Sequence, residues 1–587
     1  MEANGSQERQ PRHGSLSADH ESQQLQPGDA RSNSKGGWIT FPFLAMAMLG
    51  LGVARGGATS NFVVYLVKKY NVPRVDAAQI SSIALGCLSL APVGGAIVAD
   101  AFFGCYPVVA VAMVFSVLAL VMFTLTASLH GLRPAACPLN AAAGRPCELA
   151  TTGQMAALYA AVFMLCVSAG GARFNQATLG ASQFDAAADR DVLFNWYFVF
   201  FYASSAVGST AIVYVQDNVS WALGYAISGA ASVAGLAALL AGTTYYRRPA
   251  AQGSPFTGLA RVAVAAARKW KVNLAAASEE QRFYYGRRGA GSAGDKDGDD
   301  VSDGTSSLAA PSDSFRFLNR AALITNGDVA PLDGSVLRPW HICTVQEVED
   351  FKTVLRILPL WTSSIVLSVA FGTQINFTVL QALAMDRALG GGFTVPAGSM
   401  TVVVLVSVVV SLVLLDRALL PLWRRLTGHT PTPLQRIGAG HALAVLSLAA
   451  SAAVEGRRMA TVREEAAADD PAWVSPLSAT WLVLPLALAG AGEALYFPGG
   501  VTLYYEEFPP PLRNTSTGMV AVIIALGFYL SAALVGVVRQ ATAWLPDNNM
   551  NASRLENLYW LLAVMVAVNC VYYLLCAKLY KYQKVGK

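Results

Sequence analysis

Long apolar stretches are the feature that most constrains how this chain can fold. Each is close to the ~20 residues that an α-helix needs to cross the hydrocarbon core of a bilayer. Six of them centre on residues 41–66, 77–98, 107–126, 155–170, 193–215 and 221–242. Six more centre on residues 354–370, 401–422, 437–454, 481–504, 519–538 and 558–579. The pattern predicts an all-α polytopic membrane protein with twelve transmembrane helices.

The composition agrees with a surface that faces lipid. Hydrophobic residues make up 54% of the 587-residue chain and charged residues 13%, whereas a soluble protein carries about 25% charged residues. The formal net charge of +5 is too small to indicate a nucleic-acid partner. A G-x-G-x-x-G match at residues 289–294 lacks the strand and helix of a dinucleotide fold. We therefore expect no enzyme, no metal and no cofactor.

Polar segments divide the chain into four parts. Residues 1–36 are polar and predict a disordered cytosolic tail. Residues 37–245 and 351–587 each hold six apolar stretches, the second part ending in a short cytosolic tail. Residues 246–350 form a hydrophilic central loop whose Gly- and Asp-rich runs can neither cross a bilayer nor form a core by themselves. Six helices, a long joint and six more helices is the layout of the major facilitator superfamily.

Basic residues predict the orientation of the bundle. Arg247, Arg248, Lys578 and Lys581 belong to clusters that an even number of crossings places on one side, which the positive-inside rule makes cytosolic. Both chain termini are then cytosolic. Two loops fall on the other side and contradict the rule, one with Lys68, Lys69 and Arg74 and one with Arg457 and Arg458.

Two features of the predicted outer loops bear on this orientation. Cys137 and Cys147 lie in one short loop, where an oxidising environment favours a disulfide over two free thiols. The N-x-[ST] motifs at Asn218 and Asn551 also fall in outer loops and are candidate glycan acceptors.

Two ionisable residues lie within otherwise apolar predicted helices. Arg173 is the only one in residues 155–183, and Glu493 is the only acid in residues 481–504. A charge inside a membrane is costly and usually serves transport. The alternatives are a permanent ion pair between the two halves, or an arginine whose head reaches the interface.

Several runs resemble the proton-coupled oligopeptide transporter family, and its plant nitrate transporter 1/peptide transporter branch in particular. They are ADAFFGCY (99–106), GARFNQATLGASQFD (171–185), FNWYF (194–198), VEDFKTVLRILPLW (348–361) and GEALYFPGG (492–500). Other runs, such as GWITFPF and IVYVQDNVSW, resemble the nitrate excretion subgroup. The resemblance implies alternating access, with a Lys of the fourth helix matched by Arg173 and a Glu of the tenth helix matched by Glu493.

The chain departs from that family in its first helix. The family's E-x-x-E-[R/K] signature, which serves proton coupling, aligns with Met48, Leu51 and Gly52, and the helix holds Arg55 but no acid. The nitrate-binding His of one member falls near Phe371 or Gly372. Proton symport is therefore in doubt. An efflux or uniport mode is compatible with the absence of acids from the first helix.

We expect a plasma-membrane transporter of a small anion, with nitrate as the leading substrate and protons as a further partner to test. Arg173 would bind the anion and Glu493 would pair with Arg173 in the empty cavity. Gln374, Asn195 and Tyr197 are further candidate cavity residues, each of which could instead make a satisfied interhelical hydrogen bond. The alternatives are a transporter of a larger plant solute (a glycoside, hormone or peptide) and a transceptor or scaffold that uses the central loop.

Overall fold

The structure is a computed structural model. It describes residues 35–135, 148–184, 187–248, 255–272, 283–286, 311–325, 327–329, 336–390, 393–429, 431–507, 513–546 and 549–580. Cys137 and Cys147 lie outside these residues, so their disulfide stays a prediction.

The N-terminal half is built from long helices broken by short turns. They are α1 (Phe41–Thr59), α2 (Phe62–Lys69), α3 (Arg74–Val98), α4 (Cys105–Ser128), α5 (Thr152–Ala181), α6 (Ala187–Val207), α7 (Val213–Asn218) and α8 (Trp221–Ala241). A π-helical turn, Gly208–Ile212, joins α6 to α7. The apolar stretch predicted at 41–66 is thus two helices with a break at Ser60 and Asn61.

The C-terminal half repeats this architecture. After the helix α9 (Pro255–Arg268) come α10 (Val345–Leu383), α11 (Thr401–Leu414), α12 (Leu420–Thr427), α13 (Pro433–Glu464), α14 (Val483–Glu507), α15 (Arg513–Ala541) and α16 (Leu555–Leu579). A two-stranded parallel pair, β1 (Met385–Asp386) and β2 (Ser475–Ser478), ties two loops together. Thr344 and Thr432 start α10 and α13 with capping boxes, because each hydroxyl accepts from the third helical N–H.

Among the described residues, eleven helices are long and apolar enough to cross a bilayer. The stretch predicted at 193–215 corresponds to α6, the π-helical turn and α7, which are helical throughout but are not among these eleven. Both halves therefore have the helical membrane architecture that the sequence predicts.

The described parts of the central segment form a small apolar cluster against the start of α10. Its buried members include Val262, Ala265, Leu318, Cys343 and Val348. α10 is 39 residues long, or about 58 Å, whereas the hydrocarbon core is about 30 Å thick. Its first turns can therefore extend beyond the membrane and support this cluster. The Gly-rich run of the segment lies outside the described residues.

The two halves meet at the end of the bundle opposite the chain termini, which we call the opposite face. There α3 packs against α15, and Asp76 forms an ion pair with Arg539. Asp217 accepts from Lys68 of its own half at 2.8 Å and lies 3.9 Å from Arg387 of the other half. These contacts connect the halves on the opposite face.

Asn551 is a correction to the sequence analysis. Its side chain is 1% exposed, its amide nitrogen donates to the carbonyl oxygens of Asp470 and Trp473, and its oxygen accepts from Arg458. A buried amide with all these partners is not a glycan acceptor in the folded protein, because the acceptor nitrogen must be reachable by the transferring enzyme. Asn218, by contrast, is exposed at the end of α7.

Candidate functional site

Two arginines from different helices meet in one small cavity of the N-terminal half. Arg55 lies on α1 and Arg173 on α5, and both line a cavity of about 60 Å³. The two guanidinium groups are close enough to act on each other electrostatically. Like charges in a poorly hydrated site repel, so this arrangement favours a bound anion.

The other described residues of the cavity wall include no acid. They are Met48, Leu51, Gly52, Ser116, Leu165, Ser168, Ala169, Ala172, Gln176, Tyr197 and Phe201. Among the described ion pairs, none involves Arg55 or Arg173. The positive charge of the cavity is therefore not neutralised by a neighbouring carboxylate.

Gln176 adds an unsatisfied donor to the same wall. It lies one turn after Arg173 on α5, is 4% exposed, and its amide nitrogen has no hydrogen-bond partner within the described structure. A buried N–H without an acceptor costs free energy, about 1–3 kcal/mol, unless a ligand or water accepts from it. The cavity thus presents three donor groups, of which the Gln176 amide nitrogen has no acceptor among the described residues.

Tyr197 has both features that were considered for it, a place in the cavity wall and an interhelical hydrogen bond. It lines the cavity from α6 and its hydroxyl donates to the backbone oxygen of Arg173 at 2.9 Å. That bond links α6 to α5 beside the two arginines. Asn195 lies on α6 two residues earlier, and its side chain is outside what the structure describes.

The expected ion pair between Arg173 and Glu493 is not formed in this conformation. The Arg173 guanidinium lies over the Phe201 ring, 5.7 Å from its centroid, a cation–π distance. Glu493 is on α14 of the other half, and the two halves are joined at the opposite face. Tyr202 of α6 lies within electrostatic range of both Arg173 and Glu493.

Gln374 lies apart from the cavity and is used for packing. It is 3% exposed on α10, and its amide nitrogen donates to the hydroxyls of Ser447 and Ser451 on α13 at 2.8 and 2.9 Å. Ser447 in turn donates to the Pro485 carbonyl. This is the interhelical hydrogen bond that the sequence analysis held as the alternative.

The positions of the missing acids line the same cavity as the arginines. Met48 and Leu51 lie in its wall, and Gly52 packs so closely on α6 that a Cβ at this position would overlap the Ser204 side chain. Residue 52, where the family signature has Arg or Lys, therefore has no room for a long side chain. Sequence reasoning noted Arg55 but selected neither it nor Gln176; the spacing of Arg173 and Gln176 on one helical face was the available signal.

Comparisons with known proteins agree on the family. The family model described as the POT family matches residues 106–553. Two Arabidopsis thaliana relatives, Protein NRT1/PTR FAMILY 2.3 and 2.7, are 42% and 41% identical over 95% and 94% of this chain, and over the same shares of their own lengths. The chain belongs to the POT family, in its NRT1/PTR branch.

Solved structures show the same fold. The crystal structure of an auto-inhibited POT family peptide transporter has a TM-score of 0.67 at 16% identity and covers 94% of this chain and 98% of its own. The POT family transporter PepTSo has a TM-score of 0.63 at 16% identity, covering 93% and 99%. The protein is a multi-pass membrane transporter of the major facilitator type, and not an enzyme.

Proposed function

We propose that this transporter moves nitrate across the plasma membrane by alternating access. The observation that carries the proposal is the cavity in which Arg55 and Arg173 converge without an acidic neighbour. Guanidinium groups stay protonated and offer paired, coplanar donors that match a planar oxyanion. The unpartnered amide nitrogen of Gln176 supplies a further donor.

The size of the cavity supports a small anion. Its volume of about 60 Å³ is well below the ~300–1,000 Å³ of pockets that enclose drug-sized ligands. A peptide, glycoside or hormone would need the surrounding helices to separate considerably, whereas a small oxyanion would not. The resemblance to the nitrate excretion subgroup points to the same substrate class.

We infer efflux or weak proton coupling as the mode of transport. Met48 and Leu51 replace the two acids of the family signature and Gly52 replaces its basic residue, and all three line the anion cavity. Glu493 remains the one acid that the sequence places within the tenth apolar stretch. Its role would be to attract Arg173 when the empty cavity closes.

We propose that both termini are cytosolic, on the strength of the basic residues near them. The ion pairs on the opposite face then close the extracellular side. In this conformation an anion would reach the arginines from the cytosol, which is the direction that efflux requires.

The test is flux of labelled nitrate in oocytes expressing the full chain. Arg55→Gln and Arg173→Gln should each lower flux at least about tenfold, the loss expected when a charge-assisted contact is removed. Arg173→Lys should keep part of the flux, because charge remains without the planar fork. Arg338→Gln, which removes one exposed charge outside the cavity, is the matched control and should transport normally.

Equal surface protein must be shown for each variant. Wild-type flux in both arginine variants would contradict the anion site. If wild-type cells instead move a glycoside, hormone or peptide and not nitrate, the substrate assignment is wrong while the transporter assignment stands.

A further inference from the structure

The end of α11 continues, through a π-helical turn, into a short helix without buried residues. Residues Ala397–Thr427 form one helical run of 31 residues, about 46 Å long, against a hydrocarbon core of about 30 Å. A π-helical turn, Leu415–Leu419, interrupts this run before α12. α12 therefore lies at or just beyond the membrane surface, at the end of the bundle that holds the chain termini.

α12 has an apolar stripe that nothing in the described structure covers. Leu422, Trp423 and Leu426 of α12, with Leu419 at the end of the preceding π-helical turn, recur at the i+3, i+4, i+7 and i positions that form one helical face. Their side chains are 48%, 52%, 44% and 77% exposed, and no residue of α12 is buried. A helix with a full apolar stripe and no buried side chain is not held by packing against the described part of the chain.

The other side of α12 is basic. Arg424 and Arg425 lie in its last turn, and residues 417–429, RALLPLWRRLTGH, contain no acid. Gly428 ends the helix with a left-handed backbone, φ 79°, which glycine adopts at little cost. An apolar stripe with a tryptophan, opposed by arginines, is the pattern of helices that lie in the bilayer interface.

We propose that α12 is an interfacial helix that binds anionic phospholipid headgroups through Arg424 and Arg425. Leu422, Trp423 and Leu426 enter the boundary between headgroups and acyl chains. The membrane is the partner because α12 is continuous with a membrane-crossing helix and carries the charge complementary to anionic lipid. The π-helical turn lets α12 bend away from the axis of α11. The proposal does not depend on which solute is transported.

Hydrogen–deuterium exchange on the full chain in nanodiscs tests this. Discs contain phosphatidylcholine alone or with roughly 30 mol% phosphatidylglycerol, an anionic lipid. Backbone amides of residues 420–427 should exchange severalfold more slowly in the anionic discs. Arg424→Gln combined with Arg425→Gln should remove the difference, since each basic residue near an anionic surface contributes roughly fivefold in binding.

Two further variants keep the test decisive. Lys271→Gln with Arg338→Gln removes two exposed charges elsewhere on the same end of the protein and should leave the lipid dependence intact. Leu422→Ser with Leu426→Ser should speed exchange in both lipids. Equal exchange in neutral and anionic discs, or a lipid dependence that survives loss of both arginines, would overturn the proposal. Slow exchange in detergent without lipid would show instead that α12 docks on protein.

Discussion

In the C-terminal half, Arg458 of α13 is fully buried and completely paired. Its guanidinium donates to Glu455 at 2.6–3.1 Å, to the Asn551 oxygen at 2.8 Å and to the Met550 carbonyl at 2.8 Å. In the N-terminal half, Arg55 and Arg173 face a cavity without an acid. The same side chain is thus structural where its donors are satisfied by protein and available to a ligand where they are not.

We therefore expect loss of Arg458 to lower stability and loss of Arg55 or Arg173 to lower transport. Removing one partner of a buried pair leaves an uncompensated charge, whereas removing a cavity arginine takes away like-charge repulsion together with a binding group. The variants below are arranged from the largest expected effect to the smallest.

Arg458→Met should be the most damaging change. Glu455 would remain 0% exposed without its cation, at a cost of ~3–5 kcal/mol. Thermal unfolding of purified protein in detergent should show a large drop in midpoint, and surface expression should fall. Arg457→Met is the matched control: this exposed neighbour contacts only the Trp481 ring among its described partners, at 4.8 Å. Adding Glu455→Gln to Arg458→Met should recover part of the loss, and a wild-type midpoint for the single variant would refute the structural role.

Gly52→Ala tests how closely α1 and α6 pack at the cavity wall. The new methyl group would overlap the Ser204 side chain, and overpacking of this kind costs ~1–3 kcal/mol. The thermal midpoint should fall in the single variant. Ser204→Gly in the same chain should restore it, because the nearest remaining atom of that residue would be its Cα at 3.7 Å. A Gly52→Ala protein as stable as wild type would show that the helices can separate freely here.

Met48→Glu adds a carboxylate to the N-terminal cavity, so that its arginines gain an acidic partner as Arg458 has in Glu455. A carboxylate beside Arg55 and Arg173 would be ionised and compete with the anion, so nitrate flux near pH 7.4 should fall about tenfold. Met48→Gln, with similar size and no charge, should retain most of the flux. The readout is labelled nitrate in voltage-clamped oocytes with matched surface protein. Full flux in Met48→Glu would mean that the anion does not bind next to residue 48.

The wild type should respond little to external pH, because no acid lines its anion cavity. Lowering the pH from about 7.4 to about 5.5 should change nitrate flux less than about twofold. A steep increase accompanied by inward proton current would assign coupling to another group, with Glu493 the first to test by Glu493→Gln.

Asp328 and Lys269 form a buried ion pair outside the membrane helices. We expect loss of this ion pair to destabilise only the central segment. Asp328 lies 2.8 Å from Lys269, and the two side chains are 1% and 4% exposed. Burial alone would raise the pKa of Asp328, but hydrogen bonds from Lys269 and Thr325 outweigh it and lower the pKa below its usual value. The stabilisation is therefore present above the unfolded value of about 3.9 and is lost as pH falls through the lower folded value.

Pepsin cleavage of this segment should accordingly increase at the acidic end of a series from about pH 5 to about pH 2. Asp328→Asn should be cleaved readily across the series, since its Lys269 is unpaired at every pH. Cleavage that is independent of pH in the wild type would show that the pair does not hold the segment.

The sequence alone determined the class of fold and the two halves. Crossing a bilayer needs ~20 apolar residues, so composition along the chain reports each membrane helix without knowledge of its neighbours. Arg173 could be selected on the same ground, because a charge in such a stretch is rare. The runs around Arg173 and Glu493 were also enough to identify the family.

Only the tertiary structure decided which charged side chains can bind a ligand and which are paired within the protein. Arg55, Arg173 and Gln176 lie on two helices whose packing brings three donors to one cavity, and periodicity within a helix carries no information about that packing. Arg458 opposes the positive-inside rule in sequence, yet it is buried and paired with Glu455. Whether a buried polar group finds a partner depends on residues distant in the chain, and so a local pattern cannot distinguish a ligand site from a structural pair.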